Sequence, residues 1–458
     1  MTQVADRSHK KPLPAKLNAA PGWVQELRSA GERAFGMFGY PTDTKLESWR
    51  HTPLRPITEV EWKPAQTDEA GAQSIYADYT FGADAIEVVL TNGRFSETMT
   101  QTSGLPVGLV VQSLASAYAI DHADIVRKAL GSVAKLTQRG QPPAALAFVA
   151  LNQAHLDDGV FIHVKRGAMI EKPIHIICAT TDNAVDAITH PRIVVVIEDG
   201  AQATIVQSYA GPKSGRYLTN AVTEINVGAD AIVDHYKLNQ ESPDAYHVSA
   251  MNVVIGRKAQ FIDHNATIGG KLTRNDITVK LNGEHSYSVL NGLTIIAGEQ
   301  FVDNHTLLEH AYPNCPSYEL YKHVLDGKSQ AIFKGQIYVH DVAQKTDAKQ
   351  SSKTLLLSDD AHINSQPALE IYADDVKCTH GSTTGPLDEG MLFYLQTRGL
   401  SLQQAKQVLI YAFAADVTRR IKVEAVRNRL EKWMAAQQGL PGDFRIQELG
   451  GHDDDVVY

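Results

Sequence analysis

The sequence predicts a mostly β protein: a coiled, stacked sheet of the β-helix kind in the middle of the chain. An N-terminal mixed, largely helical part and a C-terminal helical part flank it. Three observations carry this. From about Asp158 to Asp375 the chain is rich in Val, Ile and Thr in alternating patterns, with almost no helical periodicity. A degenerate repeat runs through that stretch, with Gly200, Gly228 and Gly256 spaced 28 residues apart and Gly283 following 27 later. On both sides the apolar pattern returns to helical spacing. These changes divide the chain into residues 1–140, 141–380 and 381–458.

The first part mixes helix and strand. Pro21 opens a helix whose apolar stripe runs through Trp23, Leu27, Ala30, Ala34 and Phe35, and Gly39 and Pro41 stop it. Leu46, Trp49 and Leu54 make a short amphipathic piece. A strand is expected at Ile86 to Leu90, followed by a turn at Asn92-Gly93. Apolar and helix-forming residues from Leu114 to Val133 predict another helix. The polar start, with His9, Lys10 and Lys11, reads as a loose terminus.

In the middle part the copies read VKRGAMI from Val164, IEDGAQATIV from Ile197, INVGADAIV from Ile225, VVIGRKAQFI from Val253 and AGEQFVDNH from Ala297. A fixed period made only of strands points to stacked coils. Each glycine would allow a sharp corner. Alternate Val, Ile and Ala would point inward against the next coil. A β-helix fits best, and a sandwich or jelly roll is the alternative that the pattern leaves open.

The last part is helical. Leu387 to Gln396 contains MLFYL, and Gly399 breaks it. Ser401 and Gln404 form a capping box, in which the serine accepts a free N–H and the glutamine returns the bond. Leu402, Ala405, Val408, Leu409, Ala412, Phe413, Val417 and Ile421 follow at helical spacing. The helix is expected to continue through Arg429 and Lys432 to about Gly439 and Pro441. It would cover the end of the coil or dock another protein. The acidic tail after Gly450 suggests no role.

Composition excludes several functions. The 458 residues are 43% hydrophobic, ordinary for a globular chain of two or three units. The formal charge of -9, without a basic run, argues against a nucleic-acid partner. No apolar stretch of about 18 residues is present to span a membrane, and no export signal opens the chain. A cytoplasmic protein is therefore expected, or one in an organelle stroma of similar chemistry. The three cysteines, Cys178, Cys315 and Cys378, lie far apart without a CxxC pair. A self-contained zinc site and a disulfide framework are both disfavoured, and a buried inert thiol is the plain reading of each. No phosphate loop, GxSxG elbow, HExxH or kinase set appears, so no ATP hydrolysis and no enzymatic activity are expected of this chain. A polysaccharide-acting β-helix enzyme is the remaining enzymatic alternative, with Asp263, Arg274 and Asp276 as its candidates.

The densest polar constellation is Lys377-Cys378-Thr379-His380-Gly381. On an extended strand Cys378 and His380 share a face. Thiolate and imidazole both ligate iron or zinc, but two ligands leave a tetrahedral site incomplete, so a partner chain, sulfide or substrate would supply the rest. His264, His285, His305, His310, His323, His340 and His362 are also numerous. Stacked coils could align some of them; surface or hydrogen-bonded core positions are the plainer reading. Glu309 beside His310 and Asp303 near His305 would orient imidazoles.

The stretch DDVKCTHGSTTGPLDEGMLFYLQTRGLSLQQAKQVLIYAFAADV, from Asp374 to Val417, resembles the C-terminal signature of the SufB/SufD family of iron–sulfur cluster assembly proteins. The match runs through Cys378, His380, Gly385, Leu387, Phe393, Tyr394, Leu395, Arg398, Gly399, Ala405 and Phe413. Upstream, Glu47 to Leu54 resembles the family's Glu-x-Trp-Arg-x-Thr-x-Leu segment. Val89 to Phe95 resembles its Asn-Gly strand turn, and Asp158 to Pro173 the start of its central β-helix. Ser382 and Thr384 replace the usual Ala and Val without touching the ligand candidates. Gly381 after His380, where the B type commonly has Glu, and the low cysteine count resemble the D type.

The resemblance implies a right-handed parallel β-helix and a scaffold complex of one B chain, one D chain and two ABC-type ATPase subunits. A SufB-like paralogue would pair edge to edge with this chain. A SufC-like ATPase would dock on the C-terminal helices, with Phe393, Tyr394, Arg398, Leu409 and Phe413 as interface candidates. His380 would take or ligate iron at the B–D junction, with Cys378 as a nearby helper or structural thiol. No tightly bound cofactor is implied for this chain, only transient iron or an iron–sulfur cluster shared with the B chain. Any flavin would belong to the B chain. The alternatives are a purely structural partner of the B chain, the B type itself, and a homodimer of isolated chains.

Overall fold

A computed structural model describes residues 20–42, 46–137 and 142–437. The polar start, the stop at Gly439 and Pro441 and the tail after Gly450 lie outside the described residues.

Strands that follow one another in the chain alternate between two sheets, and neighbours within each sheet are parallel. One sheet runs from Val160–Val164 through Arg192–Ile197, Leu218–Val227, Tyr246–Ile255, Leu272–Leu281, Phe301–His310 and Gln330–Val339 to the short strands His362–Ser365 and Ala368–Ile371. The other runs from Ile86–Thr91 through Ile174–Ala179, Gln202–Ala210, Ile232–Gln240, Gln260–Thr267, Tyr287–Ile296, Pro316–Leu325 and Asp347–Leu356 to Lys377–Gly385. Each coil contributes one strand to each sheet, so the core is a parallel β-solenoid. Antiparallel pairing is confined to the start, between Leu109–Ser113 and Val160–Val164 and in the hairpin at Asn92-Gly93.

The repeat in the sequence is the register of the coils. Leu218, Tyr246, Leu272, Phe301, Gln330 and His362 are successive partners across one sheet. Inside the lumen, Ile162, Val195, Ile225, Val253, Val279, Leu308 and Ile337 form a single stacked column. β-branched side chains suit this place, because their stiff χ1 fits a pleated surface buried against like neighbours.

The glycines of the repeat act differently from expectation. Of Gly200, Gly228, Gly256 and Gly283, only Gly200 has positive φ, at 68°. After the other three the left-handed residues are Asp230, Lys258 and His285. Gly228, Gly256 and Gly283 are there because turns of neighbouring coils touch. A Cβ on Gly283 would lie 2.2 Å from the Arg257 nitrogen, and one on Gly228 2.6 Å from that of Asp199.

The helix Gly22–Phe38 forms as expected and ends at Gly39. The segment from Leu114 to Val133 is a correction: it is broken into Leu114–Ser116, a π turn at Ala117–Asp121 and Ala123–Ala129. Its far end is pulled out of helical geometry by Glu224, which accepts from the backbone of Gly131, Val133 and Ala134.

At the C-terminus, Glu389–Thr397 and Leu402–Thr418 are helices, the second with the Ser401–Gln404 capping box. The single long helix expected beyond it is instead two, with Glu424–Gln437 starting after a break. Tertiary contacts override local propensity there. Ile421 is buried with Tyr236, Leu238 and Leu430, the Lys422 N–H donates to the Tyr236 hydroxyl, and its ammonium meets Asp234. The helices lie on the outer face of the second sheet: Ile410, Tyr411, Ala414 and Val417 pack on Leu293, Ile295, Val324 and Leu355.

Candidate functional site

Lys377–Gly385 is the last strand of its sheet. It pairs on one side with Asp347–Leu356 and has no strand partner on the other among the described residues. Cys378 stands beside Ala348 and His380 beside Gln350. Ala348 is fully buried in the lumen core, and Cys378 packs against that core. The shared face expected for Cys378 and His380 is therefore the lumen-facing one, at the open end of the coil. His380 is exposed and Cys378 half-buried. Burial pushes the Cys378 thiol up, a smaller backbone hydrogen bond at Ala348 pulls it down, and the Asp347 charge raises it further. At neutral pH it is a thiol that needs a metal or a base to ionise.

Around this edge the surface is mixed. Tyr372 is 60% exposed and Val342 61%. Lys345 and Asp375 are ion-paired beside the start of the strand, and Ser382 donates to Ser365 across the coil end at 3.0 Å. Among the described residues no three His, Cys, Asp or Glu side chains converge as a metal site. Cys378 and His380 are thus two donors at an incomplete site.

The remaining candidates are distributed over the molecule. Cys178 and Cys315 are buried, and Cys315 bonds to Ser286 and the Gly283 carbonyl. The seven histidines do not form a row: none is a strand-register partner of another. His305 meets Asp303 at 2.9 Å, as its neighbour suggested. Glu309, by contrast, turns to His340 and Lys280 rather than to His310, which meets Ser317. The trio of the enzymatic alternative is split. Asp263 is in the lumen, 2.6 Å from His235. Arg274 and Asp276 are on the outer face of the other sheet, where Arg274 lies 3.6 Å from the Trp49 ring and holds Asp303. Such a separation rules out a paired-carboxylate groove from these residues.

Of the proposed interface residues, Phe393, Tyr394 and Arg398 are exposed on Glu389–Thr397, with Arg398 over the Tyr394 ring. Leu409 is half-buried. Phe413 is half-buried toward the solenoid, under the Lys322 ammonium.

Sequence reasoning missed the polar lumen. Lys237 is buried and donates to Ser249 and Asn275 at 2.5 and 2.6 Å, and its ammonium meets His247 at 2.9 Å. His247 in turn meets Glu241 at 2.6 Å. Burial brings Lys237 down to about 7, against the opposing pull of Glu241 and Asp263. The signal lay in the alternation: in IVDHYKLNQ the inward positions are Val233, His235, Lys237 and Asn239. A strict period of 2 puts charged and amide groups inside, where the neighbouring coils carry Gln207, Asp263, Asn265 and Thr267 at the matching positions.

The fold and this edge define a class: a parallel β-solenoid with helical ends, whose last coil offers a thiol and an imidazole at an open sheet edge. The profile of the SUF system FeS cluster assembly, SufBD core domain, matches residues 178–413, and that of the SufBD protein N-terminal region matches 16–176. The iron–sulfur cluster assembly protein SufD of Escherichia coli is 31% identical over 412 residues, 89% of this chain and 91% of that one. An iron–sulfur cluster assembly SufBD family protein of Synechocystis is 29% identical over 402 residues, 85% of this chain and 86% of that one. SufD of Bacillus subtilis is 24% identical over 417 residues, 90% and 93% of the two chains. The chain belongs to the SufBD family of iron–sulfur cluster assembly proteins. No helix among the described residues is long and apolar enough to cross a membrane.

Proposed function

We propose that this chain is a SufD-type scaffold subunit, acting in the cytoplasm and without catalytic chemistry of its own. Its partners are a SufB-like paralogue and a SufC-like ABC ATPase. Gly381 after His380, the low cysteine count and the likeness to two SufD proteins support the D type. The observation that carries the reading is the Lys377–Gly385 edge, which has one strand neighbour and bears Cys378 and His380 on its lumen side. A strand of the paralogue would extend the sheet there by main-chain hydrogen bonds. Iron or a nascent cluster, as cargo, would then meet His380 first, with the partner completing the ligand set and Cys378 ionising only on contact with metal.

The helical end is the handle for the ATPase, through the exposed Phe393, Tyr394 and Arg398. ATP binding on two attached subunits would draw them together, and the helices would pass that motion to the junction. His380→Ala tests the reading in the complete complex, with cluster yield as the readout. A yield equal to wild type removes His380 from the mechanism. An unchanged yield in the Cys378→Ala/His380→Ala double variant, with the complex still assembled, leaves a purely structural subunit.

A further inference from the structure

Glu319, Gln350 and His380 stand in one column on three successive parallel strands. Parallel strands are about 4.8 Å apart, so Gln350 lies one strand and Glu319 two strands inward from the exposed imidazole. Both inner side chains are 3% exposed. Gln350 Nε2 donates to Glu319 Oε2 at 2.6 Å. The other Glu319 oxygen and the Gln350 carbonyl oxygen have no hydrogen-bond partner. Thr306 projects from the facing sheet, close enough to help hold down a Glu319 pKa that burial raises to about 7. Gly335, the strand partner of Thr306, makes the room: a Cβ there would lie 2.1 Å from Gln350 Nε2.

One Gln350 N–H goes to Glu319, and two acceptor oxygens, Glu319 Oε1 and Gln350 Oε1, are left unpaired. Buried acceptors without donors are costly, so such a set calls for a proton, a water or a cation. Carboxylate, amide and hydroxyl oxygens are hard ligands, and they suit an oxygen-coordinated divalent ion rather than a thiolate-seeking one.

We propose that Glu319, Gln350 and Thr306 form an inner binding site for a divalent cation of the manganese(II)–iron(II) class, reached from His380 through the open last coil. This rests on the reading of His380 as the outer receiving group. The cation displaces the Glu319 proton to solvent, and the free Glu319 oxygen, the Gln350 carbonyl and the Thr306 hydroxyl face it. His380 alone, an exposed single imidazole, gives only a weak first contact.

The probe is Mn2+, titrated into the purified full chain and followed by loss of the free-ion EPR signal and by thermal shift. Wild type is expected to take up a single tightly held ion and to melt higher with it. Glu319→Gln keeps the shape of the protonated side chain, so the solenoid stays folded. It should lose at least about tenfold in affinity, the scale on which even supporting groups act in metal sites. Gly335→Ala should lose affinity too, although every ligand is still present. Mn2+ uptake by Glu319→Gln equal to wild type, or no uptake by wild type, overturns the site and leaves a protonated acid. Cluster yield in His380→Ala is a separate readout. An unchanged yield with Glu319-dependent Mn2+ binding sinks only the outer reading, and a lost yield without such binding sinks only the inner site.

Discussion

Lys322, on the solenoid strand Pro316–Leu325, is ion-paired with Asp416 on the helix Leu402–Thr418. Its ammonium also donates to the Phe413 carbonyl at 2.7 Å and lies 4.4 Å from the centre of the Phe413 ring. One lysine thus binds the carboxylate, the backbone and an aromatic face of the same helix. Asp416 is 57% exposed, so the ion pair itself contributes little. The satisfied burial of the ammonium, at 3% exposure, is the larger part.

Lys322→Met keeps the apolar stem and removes the head. We expect a loss of about 1.5–3 kcal/mol in stability, chiefly from the charged hydrogen bond to the Phe413 carbonyl. Amide exchange across the helices at 402–437 should accelerate severalfold while the lumen strands keep their protection. Exchange unchanged in those helices would show that Lys322 does not hold them on the solenoid.

The three thiols should separate under alkylation at pH 8. Cys378 is half-buried and should react, though slowly for an accessible thiol, because burial and Asp347 hold its thiolate fraction down. Cys178 is buried beside Tyr209 and pushed well above its usual range, and Cys315 is fully buried with a raised pKa. Both should stay unmodified until the chain unfolds. Mass spectrometry of the labelled native chain checks this. Labelling of Cys178 at a rate near that of Cys378 would mean that the lumen opens in the native state.

Much of this architecture is legible in the sequence because the solenoid repeats one physical problem. Every coil must bury an inward row, so Val195, Ile225, Val253 and Val279 recur in step and set the register. The Cys378–His380 pair was legible for the same reason, since a spacing of two fixes a common face. The inward direction of that face was not legible, because it depends on which sheet the strand joins. The break at Arg419 to Val423 was equally hidden. Its cause is Tyr236 and Asp234, nearly two hundred residues earlier in the chain, and no local propensity reports a contact of that range. The Glu319–Gln350 column was out of reach too, because Glu and Gln are read as surface residues until the register turns them inward.

Glu224 is expected to be the most costly single carboxylate to neutralise. It is fully buried, takes Arg192 at 2.5 Å and accepts from the backbone nitrogens of Gly131, Val133 and Ala134. Arg192 in turn donates to Asn152 at 2.9 Å, which ties the helix Ala147–Ala154 to the sheet. Glu224→Gln leaves a buried guanidinium without its counter-charge, a change worth about 3–5 kcal/mol. Replacing both partners by Leu should recover only part of this, because the three backbone donors still lose their acceptor. Urea unfolding of the single and double variants decides it. A double variant as stable as wild type would show that the backbone bonds to Glu224 contribute nothing.

Buried histidines make stability depend on pH, and the sign can be worked out. Burial lowers His155, His247, His310 and His323 to about 4 and His264 to about 3, from an ordinary 6.5. Between those limits the unfolded chain binds more protons than the folded one, so these groups favour folding above pH 6.5 and oppose it progressively as the pH falls toward 4. Glu319, raised to about 7 from 4.5, acts in the opposite sense, because its folded form holds a proton that the unfolded form has released. Five histidines outweigh one carboxyl, and the urea midpoint should fall from pH 7 to pH 5. His323 gives the sharpest test. Both its ring nitrogens are buried, with the Lys353 backbone as their one polar neighbour, and its ring lies 6.0 Å from Phe333 and 6.3 Å from Tyr321. His323→Phe replaces poorly paired polar atoms by apolar surface in an aromatic setting, so it should not destabilise the chain at pH 7. Below pH 6.5 it should flatten the decline by the share of one histidine. A decline as steep in the variant as in wild type would mean that His323 already carries its proton in the folded chain.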